Sequence, residues 1–417
     1  MEKFDVIVLG AGIVGVCTAL HLQFKGYNVC LVDKKDPGQG TSYGNAGLIE
    51  RSSVIPYHFP REFSRLLAYA LNRQPDVRFD WTYLLKIAPW LFRFWQQSSQ
   101  KNLEIATQAM LPLIENSVKE HDFLAAKTGA TSFIEPKGWL EIYHTEKAFN
   151  EAKKHLLTLQ RFHLAYDILD RQKLQERVPF ISSAMIGAIH WLDPKTVNDP
   201  DGLTAAYANY FIKQGGSFLK LDAFKTKNND GTWQIEDQGH SVSAPDIVVA
   251  LGAQSVRFLN RFGYHHIPFA IKRGYHIHYR KVDQNTSLAH SICDPVSGFV
   301  LAPMRQGIRL TTGIEFANPE APAYWTQIKR VEKIAKSIFP LGDPIEARPW
   351  LGERPCLSDM RPVIGKAPKH HGLWLNFGHA HHGLTLGPVS GKLLAGMMTG
   401  EQPLTSPNLF SLTRFTR

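Results

Sequence analysis

The sequence predicts an α/β fold in which a doubly wound domain is interleaved with an α+β domain that contains an antiparallel sheet. A strand, a glycine-rich turn, a helix and a second strand follow one another within residues 4–33, which is the order of a parallel sheet with a crossover helix. Another buried strand, DIVVALGAQS, comes much later, at 246–255. In contrast, KRGYHIHYR (272–280) alternates as a half-buried strand does, and FVLAPMRQGIRLTTGIEF (299–316) reads as two strands around a turn. The two kinds of sheet therefore follow each other along one chain.

The N-terminal element reads FDVIVLGAGIVGVCTALHLQFKGYNVCLVDKK. Its strands are predicted at Phe4 to Leu9 and Val29 to Val32, and its helix at Ile13 to Phe24. The apolar stretch carries Asp5 near its start and glycines throughout, which argues against a signal peptide or a membrane span.

A GxGxxG motif is formed by Gly10, Gly12 and Gly15, and Asp33 ends the second strand. Gly10 permits the tight turn, Gly12 lets the backbone approach a pyrophosphate, and Gly15 lets helix and strand pack closely. The helix N-terminus would face the phosphates, and the Asp33 carboxylate could hold ribose hydroxyls. A lone GxGxxG is weak evidence, but the strand, helix and strand around it favour a Rossmann-like dinucleotide site over a turn that only packs. Because residue 33 is acidic, a 2′-phosphate is disfavoured and the ligand is FAD or NAD.

Three later segments are also rich in small residues: GQGTSYGNAGLI (38–49), GERPCLSDMRPVIG (352–365) and GHAHHGLTLGPVSGKLLAGMM (378–398). The first can bring backbone amides against a ligand, and the last is a loop that runs into a helix. In this order, with the N-terminal motif and the 246–255 strand, they resemble the flavin-dependent D-amino-acid oxidase superfamily. This amine-oxidising group includes glycine oxidase, sarcosine oxidase and the bacterial D-amino-acid dehydrogenases. The resemblance covers nearly the whole chain.

The resemblance implies an FAD-binding domain. In that family the loop at 41–47 contacts the pyrophosphate and the flavin ring, and the helix that follows Gly383 points its N-terminus at the flavin pyrimidine, where amides stabilise the anionic reduced flavin. Noncovalent FAD is expected, because the flavin-tethering cysteine of sarcosine oxidases falls here at Gly352 and Cys356 is offset from it. The residues expected to bind FAD are Gly10, Gly12, Ile13, Val14, Gly15, Asp33, Lys34, Thr41, Ser42, Asn45, Ala46, Gly47, Leu48, Phe224, Ala250, Gly252, Gly378, Gly383, Leu384 and Thr385.

Three histidines, His379, His381 and His382, stand within four residues of the last loop. Their spacing in a tight turn makes convergence on one ion difficult, and no carboxylate or cysteine accompanies them in the sequence, so no metal site is expected. His381 stands where glycine oxidase carries an arginine of its substrate pocket. It is therefore a candidate pocket residue, while His379 and His382 are expected to brace the loop.

The resemblance also implies substrate-binding residues outside the nucleotide motif. Arg354 falls at the arginine that clamps the substrate carboxylate in glycine oxidase, and a guanidinium can make two parallel hydrogen bonds to a carboxylate. The alternative for Arg354 is a surface or structural ion pair. Tyr275 is a candidate for the pocket wall, although the sequence does not fix which side of its strand it occupies. Together with His381 these are the predicted catalytic residues.

Residues 56–127 form a predicted helical insertion that is rich in tryptophan and contains the sequence PWL. The D-amino-acid dehydrogenase and hydroxyproline dehydrogenase branch of the family has a similar segment. One interpretation is a helical cap that packs on the sheet. Another adds a membrane-surface face, because Lys86 and Arg93 are interleaved with Leu, Phe and Trp. The two basic residues and Pro89 interrupt the run too often for a transmembrane helix.

The composition is that of an ordinary globular protein, with 44% hydrophobic and 20% charged residues in 417. The formal net charge is +10, but no basic run exceeds two residues. We therefore expect a solvated basic surface rather than nucleic-acid binding. Four scattered cysteines without a CxxC pair favour a reducing, cytoplasmic setting, with peripheral association at the inner face of the membrane as an open alternative.

The predicted domains are discontinuous, since the nucleotide-binding segments lie in three parts of the chain. Residues 1–55, 197–262 and 351–417 are assigned to the FAD-binding domain, and residues 56–196 and 263–350 to the substrate domain.

These features predict oxidation of a D-amino acid, or of a D-proline-type imino acid, with its carboxylate on Arg354 and hydride transfer from Cα to flavin N5. Water would hydrolyse the imine to the 2-oxo acid, and the electrons would pass to a quinone or dye-like acceptor. The flavin carries the chemistry, so no side-chain base is assigned. Three alternatives remain open: a glycine- or sarcosine-type oxidase that uses oxygen, an NAD-dependent dehydrogenase, and a non-catalytic flavin subunit of an amine dehydrogenase complex.

Overall fold

The structure is a computed structural model that describes residues 1–61, 69, 72 and 74–415. Part of the predicted insertion at 56–127, namely residues 62–68, 70, 71 and 73, lies outside the described residues.

A six-stranded sheet forms the centre of the predicted FAD-binding domain. Neighbouring strands are parallel except at one edge, where Val363–Lys366 runs antiparallel to Leu373–Phe377. The inner strand Val6–Leu9 is buried along its whole length, because both faces of a parallel sheet are covered. The spatial order is Ser217–Lys220, Val29–Asp33, Val6–Leu9, Asp246–Val249, Leu373–Phe377 and Val363–Lys366.

Both faces of this sheet are covered by other elements. Ile13–Phe24, Pro200–Lys213 and Gly383–Met398 pack as helices on one face. The first and last lie so close that a Cβ on Gly391 would stand 2.8 Å from the Thr18 amide nitrogen. On the other face lies a four-stranded sheet, in the order Glu2–Lys3, His240–Ala244, Thr232–Asp237 and Thr226–Asn229. The predicted α/β fold class is confirmed.

A ten-stranded, largely antiparallel sheet forms the second part, and it contains the strands predicted within 272–280 and 299–316. Its spatial order is Val77–Phe79, Ile314–Phe316, Phe269–Tyr279, Gly307–Thr311, Phe299–Met304, Ser291–Asp294, Trp139–Tyr143, Gly187–Trp191 and Tyr166–Asp170, and Trp350–Leu357 also pairs with Phe269–Tyr279.

One domain boundary needs correction. The sequence assigned residues from 351 onward to the FAD-binding domain. In the structure Trp350–Leu357 pairs with Phe269–Tyr279, from Phe269 opposite Leu357 to His276 opposite Trp350. Because its backbone hydrogen bonds go to the ten-stranded sheet, this strand belongs to the substrate part of the molecule.

The tryptophan-rich insertion is helical, with helices at Trp81–Gln97 and Gln100–Thr128. Asp80 caps the first by accepting from the Thr82 and Tyr83 amides at 2.8 and 3.2 Å. No helix within the described ranges is long and apolar enough to cross a membrane. The other α-helices are Glu146–Leu159, Arg171–Arg177, Ser255–Asn260 and Thr326–Ile338, and short 3-10 helices lie at Thr131–Phe133, Gln160–Phe162, Ala223–Lys225, Gly252–Gln254, Pro407–Leu409 and Leu412–Phe415.

A three-stranded sheet of Leu48–Ile49, Lys195–Val197 and Ile134–Glu135 completes the described strands. It continues directly from the predicted flavin-binding loop, so that loop is held between the two large sheets.

Candidate active site

The glycine turn has the geometry that its spacing predicts. Gly10 has φ of +104°, and a Cβ there would stand 2.5 Å from the Ala250 carbonyl oxygen. A Cβ on Gly15 would stand 1.8 Å from the Gly10 carbonyl oxygen, so neither position admits a side chain. Gly12 and Val14 stay half-exposed at the helix start, while their neighbours are buried. The open side of the turn is therefore the side on which a pyrophosphate would lie.

Two other residues that the sequence predicts to bind FAD accept hydrogen bonds from backbone amides of this turn. Asp33 accepts from the Ala11 amide at 2.8 Å, and Ser42 Oγ accepts from the Ile13 amide at 2.9 Å. Lys34 lies 3.0 Å from Asp222 in an exposed ion pair, away from the turn. The end of the second strand and the next loop are thus both hydrogen-bonded to backbone amides at the helix N-terminus.

The predicted adenosine-side residues lie near the carboxyl end of the 246–249 strand. Ala250 donates its amide to Leu9 and limits the space above Gly10. Gly252, with φ of +55°, starts a short 3-10 helix. Phe224 is half-buried, with the Arg257 guanidinium 5.4 Å from its ring centroid.

The loop that carries Thr41, Asn45, Ala46 and Gly47 is braced by a residue that sequence reasoning missed. Arg309 donates from Nη1 to the carbonyl oxygens of Tyr43 and Asn45, at 2.9 and 2.6 Å. Thr41 Oγ1 donates to the Glu353 carbonyl at 3.0 Å, and the Asn45 side chain accepts from the Gly47 amide at 2.8 Å. The partly exposed Ala46 packs against the core beside Leu48. Since Arg309 belongs to the ten-stranded sheet, only the folded chain brings it to this loop.

The C-terminal loop is joined to the same region. Gly378 has φ of +85°, and Gly383 begins the last helix. Thr385 Oγ1 donates to the Leu48 carbonyl at 3.2 Å and accepts from the Glu50 amide at 3.1 Å. The Leu384 carbonyl lies 2.7 Å from His121 Nε2. The helix N-terminus expected to face the flavin therefore lies directly against the end of the 41–48 loop.

These features fit FAD. A Cβ on Gly12 would meet only Ser42 Oγ, at 3.4 Å, so the turn is open there, the acidic strand end stands beside it, and the N-terminus of the last helix meets the second loop. The groups that would hold the cofactor are backbone amides and small side chains, as a dinucleotide with two phosphates requires.

The three histidines have different surroundings. His379 is buried and lies 3.1 Å from Ser390 Oγ, and burial lowers its pKa to about 3. The rings of His381 and His382 are perpendicular, with centroids 3.9 Å apart. Burial is the largest cause that lowers the pKa of both, and for His381 the charges of His382, Arg354 and Lys272 act in the same direction. Neutral imidazoles therefore line this region at pH 7.

The structure corrects one expectation about metal ligands. The sequence indicated that no carboxylate accompanies the histidines, but Glu50 lies 3.9 Å from His382 Nε2. Ligand atoms of Glu50, His381 and His382 lie within 4.8 Å of one another, a set that could hold an ion. His379 is not part of this set, and its Nε2 lies 3.1 Å from Ser390 Oγ. The expectation of no metal stays a prediction.

Arg354 lies in the Trp350–Leu357 strand. Its guanidinium donates to the carbonyl oxygens of Gly313 and Thr312, at 2.9 and 3.1 Å. A Cβ on Gly274 would stand 2.7 Å from Arg354 Nη2, so glycine at 274 makes room for the guanidinium. No carboxylate among the described residues forms an ion pair with Arg354. These contacts therefore argue against the alternative that Arg354 serves in a structural ion pair.

Arg354 and His381 are both partly exposed, and the Arg354 charge helps to lower the pKa of His381, so the space beside them is the candidate substrate cavity. Tyr57 exposes 68% of its surface beside them. Its ring centroid lies 5.1 Å from that of His381, and the Arg354 charge acts on its pKa. Tyr57 was not among the predicted residues, because an isolated tyrosine in a loop gives no sequence signal.

Tyr275 lies on the opposite face of the ten-stranded sheet from Arg354. Its hydroxyl donates to Glu315 at 2.6 Å and accepts from Arg273 at 3.2 Å. In the same register Lys272 is directly opposite Arg354, whereas Tyr275 is opposite Leu351. Side chains alternate between the faces of a strand, so the structure brings Arg354 and His381 together but not Tyr275.

The comparisons with known proteins agree with these motifs. A family model described as FAD dependent oxidoreductase (DAO) matches residues 5–397. A D-amino-acid oxidase of Bradyrhizobium diazoefficiens is 28% identical over an alignment of 423 positions that covers 99% of each chain. A D-amino acid dehydrogenase of Granulibacter bethesdensis is 28% identical over an alignment of 415 positions that covers 95% of this chain and 96% of its own. The crystal structure of glycine oxidase from Geobacillus kaustophilus has a TM-score of 0.75 at 20% identity, with 99% of both chains covered.

The family model spans most of the chain, and both the glycine turn and the last helix fit the cofactor that it specifies. FAD rather than NAD is therefore the cofactor, and the protein is an oxidoreductase. The chain belongs to the DAO family of FAD-dependent oxidoreductases, as the resemblance of its motifs predicted.

Proposed function

We propose that the enzyme oxidises a D-amino acid, or a D-proline-type imino acid, to an imine that water hydrolyses to the 2-oxo acid. The observation that carries the proposal is the Arg354 guanidinium, which faces a cavity beside His381 and has no carboxylate partner among the described residues. The D configuration is supported by the names of the two relatives, D-amino-acid oxidase and D-amino acid dehydrogenase.

Arg354 can bind a carboxylate without losing its present contacts. A guanidinium has five N–H donors, and the carbonyls of Gly313 and Thr312 engage two of them. The same two bonds hold the planar group in one orientation. A substrate carboxylate could then accept a pair of hydrogen bonds from the remaining donors, which fixes the position of its Cα.

The other side chains favour a substrate that reacts as a neutral amine. His381 and His382 have lowered pKa values, chiefly through burial, so they add no positive charge beside the substrate amine. The Glu50 carboxylate lies 3.9 Å from His382 Nε2. FAD, when bound, supplies the two-electron oxidation of the Cα–N bond. The chain supplies orientation and a site partly shielded from water.

For the electron acceptor we propose a quinone of the membrane. The support is the outer side of the helix Trp81–Gln97. Trp81, Leu85 and Phe92 are exposed there, at spacings that place them on one side of the helix. The exposed Lys86 and Arg93 lie beside them. Its inner side, with Ile87, Trp90 and Phe94, packs on the core of the cap. The cap interpretation and the membrane-surface interpretation are therefore compatible.

A second candidate is an oxygen-using oxidase of the glycine oxidase type. It is favoured by the similarity of the whole fold to a glycine oxidase and by the word oxidase in the name of one relative. A non-catalytic flavin subunit would need no clamp of the kind that Arg354 offers.

The test is anaerobic mixing of the FAD-loaded enzyme with a panel of amines, with bleaching of the flavin absorbance as the readout. The panel contains D-amino acids, their L-enantiomers, D-proline, glycine and sarcosine, and a dye acceptor is added afterwards to measure turnover. We expect D-enantiomers to bleach the flavin far faster than L-enantiomers. Bleaching by glycine and sarcosine alone would favour the oxidase candidate, and no bleaching by any amine would support the subunit.

A further inference from the structure

A lysine that the proposed reaction does not use lies beside the clamp. Lys272 is 5% exposed, and no carboxylate within the described part of the chain pairs with it. Its Nζ lies 5.3, 4.7 and 5.8 Å from the ring centroids of Trp90, Phe94 and Phe316. Aromatic faces attract a cation, but they do not neutralise its charge. A buried ammonium of this kind is costly unless an anion approaches it.

Lys272 and Arg354 form a pair of like charges. They are directly opposite each other on neighbouring antiparallel strands, so their side chains leave the same face of the sheet. Like charges in this position repel each other. The Arg354 charge acts on Lys272, and both charges act on His381, so the three groups lie close together.

The formal charges of the cavity are not balanced. Arg354 and Lys272 contribute two positive charges, Glu50 contributes one negative charge, and the histidines are neutral, which leaves one positive charge in excess. An amino acid with a neutral side chain offers one carboxylate, which Arg354 would bind, and leaves Lys272 without an anion. An amino acid with an acidic side chain offers a second carboxylate, which could pair with Lys272.

We propose that the substrate carries a second carboxylate and that Lys272 binds it, while Arg354 binds the first. This inference rests on the proposed function, because it names the class of amino acid that the same site takes. The substrate is an acidic amino acid, or an amine with two carboxylate arms, short enough to span two groups on adjacent strands. Trp90, Phe94 and Phe316 hold the lysine stem and its ammonium in place, so that the cation is ready before the substrate enters.

The experiment measures binding apart from turnover. The FAD-loaded enzyme is titrated with unreactive dicarboxylates (succinate and glutarate) and with butyrate as the monocarboxylate, and the shift of the flavin absorbance reports occupancy. We expect the better dicarboxylate to bind about tenfold more tightly than butyrate or better, since it gains a charge-assisted contact. Equal affinities in the wild-type enzyme would overturn the proposal, whatever the variants do.

Lys272→Met and Lys272→Gln keep most of the length of the side chain and remove its charge. In either variant the dicarboxylate preference should fall to about twofold or less, with butyrate affinity little changed. Lys281→Met, at an exposed lysine just beyond the same strand, is the matched control and should behave as wild type. A preference that survives in a Lys272 variant with normal FAD content would also overturn the proposal.

The substrate panel separates this inference from the proposed function. If neutral D-amino acids bleach the flavin as readily as acidic ones, the acidic substrate class is wrong but the amine oxidation stands. If dicarboxylates bind tightly through Lys272 but no amine bleaches the flavin, the site holds a diacid and the proposed reaction is wrong.

Discussion

At the scale of single residues, Arg354 combines two properties that are rarely found together. Its guanidinium is fixed by two backbone carbonyls, and it has no counter-ion among the described residues. Burial lowers its pKa from the usual value, which reflects the difficulty of keeping such a charge without a partner. An anionic substrate would provide that partner, so the residue is stabilised by the molecule that it binds.

Replacing Arg354 with Ala should raise KM for the amino acid by about 30-fold or more, because a charge-assisted pair in a shielded site contributes roughly 2–3 kcal/mol. The FAD content should not change, since Arg354 makes no contact with the glycine turn. Arg354→Lys should recover only part of the loss, because an ammonium cannot make the paired hydrogen bonds. Steady-state kinetics and the flavin-to-protein absorbance ratio measure both effects. A near-normal KM in the Ala variant would mean that another group holds the carboxylate.

Lys272 should lower the stability of the folded protein at neutral pH. Burial lowers its pKa below the unfolded value of 10.5, so between the two pKa values the unfolded chain binds more protons and stability rises with pH. Lys272→Met should therefore be more stable than wild type near neutral pH, by about 1 kcal/mol, and the difference should shrink toward pH 10 or so. Urea denaturation of both proteins at the two pH values tests this. A less stable Met variant at neutral pH would show that the aromatic contacts outweigh the burial of the charge.

At the scale of elements, the strand Trp350–Leu357 connects the two halves of the site. It carries Arg354 toward the cavity, and its Cys356 forms an isolated bridge with His379 of the C-terminal loop. Cys356 is buried, and burial raises the pKa of its thiol, so it is held mainly as an unreactive thiol at neutral pH.

This strand leads to a prediction about the flavin linkage. Because the position of the tethering cysteine is occupied by Gly352, and Cys356 is a buried thiol, the FAD should be noncovalent. Acid precipitation should release all the flavin into the supernatant, as judged by its absorbance. Flavin that stays with the precipitated protein, and that is lost in Cys356→Ser, would contradict the prediction.

The helix Trp81–Gln97 should bind anionic membranes through its outer side. Leu85 is 80% exposed there, beside two basic residues, and an apolar side chain with neighbouring cations suits a surface of anionic lipid. Leu85→Ser should weaken cosedimentation with vesicles that contain an anionic phospholipid. Leu157→Ser, at a leucine that is 63% exposed on another helix, is the matched control and should leave binding unchanged. Equal loss in both variants, or no binding by wild type, would argue for a cap without a membrane role.

The elements that the sequence predicted well are those whose geometry is set locally. The tight turn at Gly10 and the close packing at Gly15 follow from three glycines within six residues, and the structure has both features. The contacts that sequence reasoning missed are made by strand pairing and by loops that are distant in sequence. Lys272 meets Arg354 through the register of two strands, and Glu50 meets His382 across the length of the chain. The face on which Tyr275 lies is likewise fixed only by this register.

At the scale of the whole molecule, the candidate active site lies where elements of the two large sheets meet. The FAD-binding part supplies the glycine turn, the second loop and the last helix, and the ten-stranded sheet supplies Arg354, Lys272 and Arg309. Arg309 is buried and donates to carbonyls of the second loop, so a change in the substrate part can reach the flavin loop directly. The loop proposed to bind FAD and the sheet proposed to bind substrate are therefore in direct contact.

The destination of the electrons is also a property of the whole molecule. The exposed apolar side of the Trp81–Gln97 helix and the formal charge of +10 suit approach to an anionic membrane, where a quinone would be available. We therefore expect the substrate-reduced enzyme to pass electrons to a soluble quinone quickly and to oxygen slowly. Stopped-flow reoxidation, followed by the return of flavin absorbance with quinone or with air, compares the two directly. If oxygen restores the absorbance as fast as quinone does, and hydrogen peroxide forms in equal amount to the oxidised substrate, the enzyme is an oxidase instead.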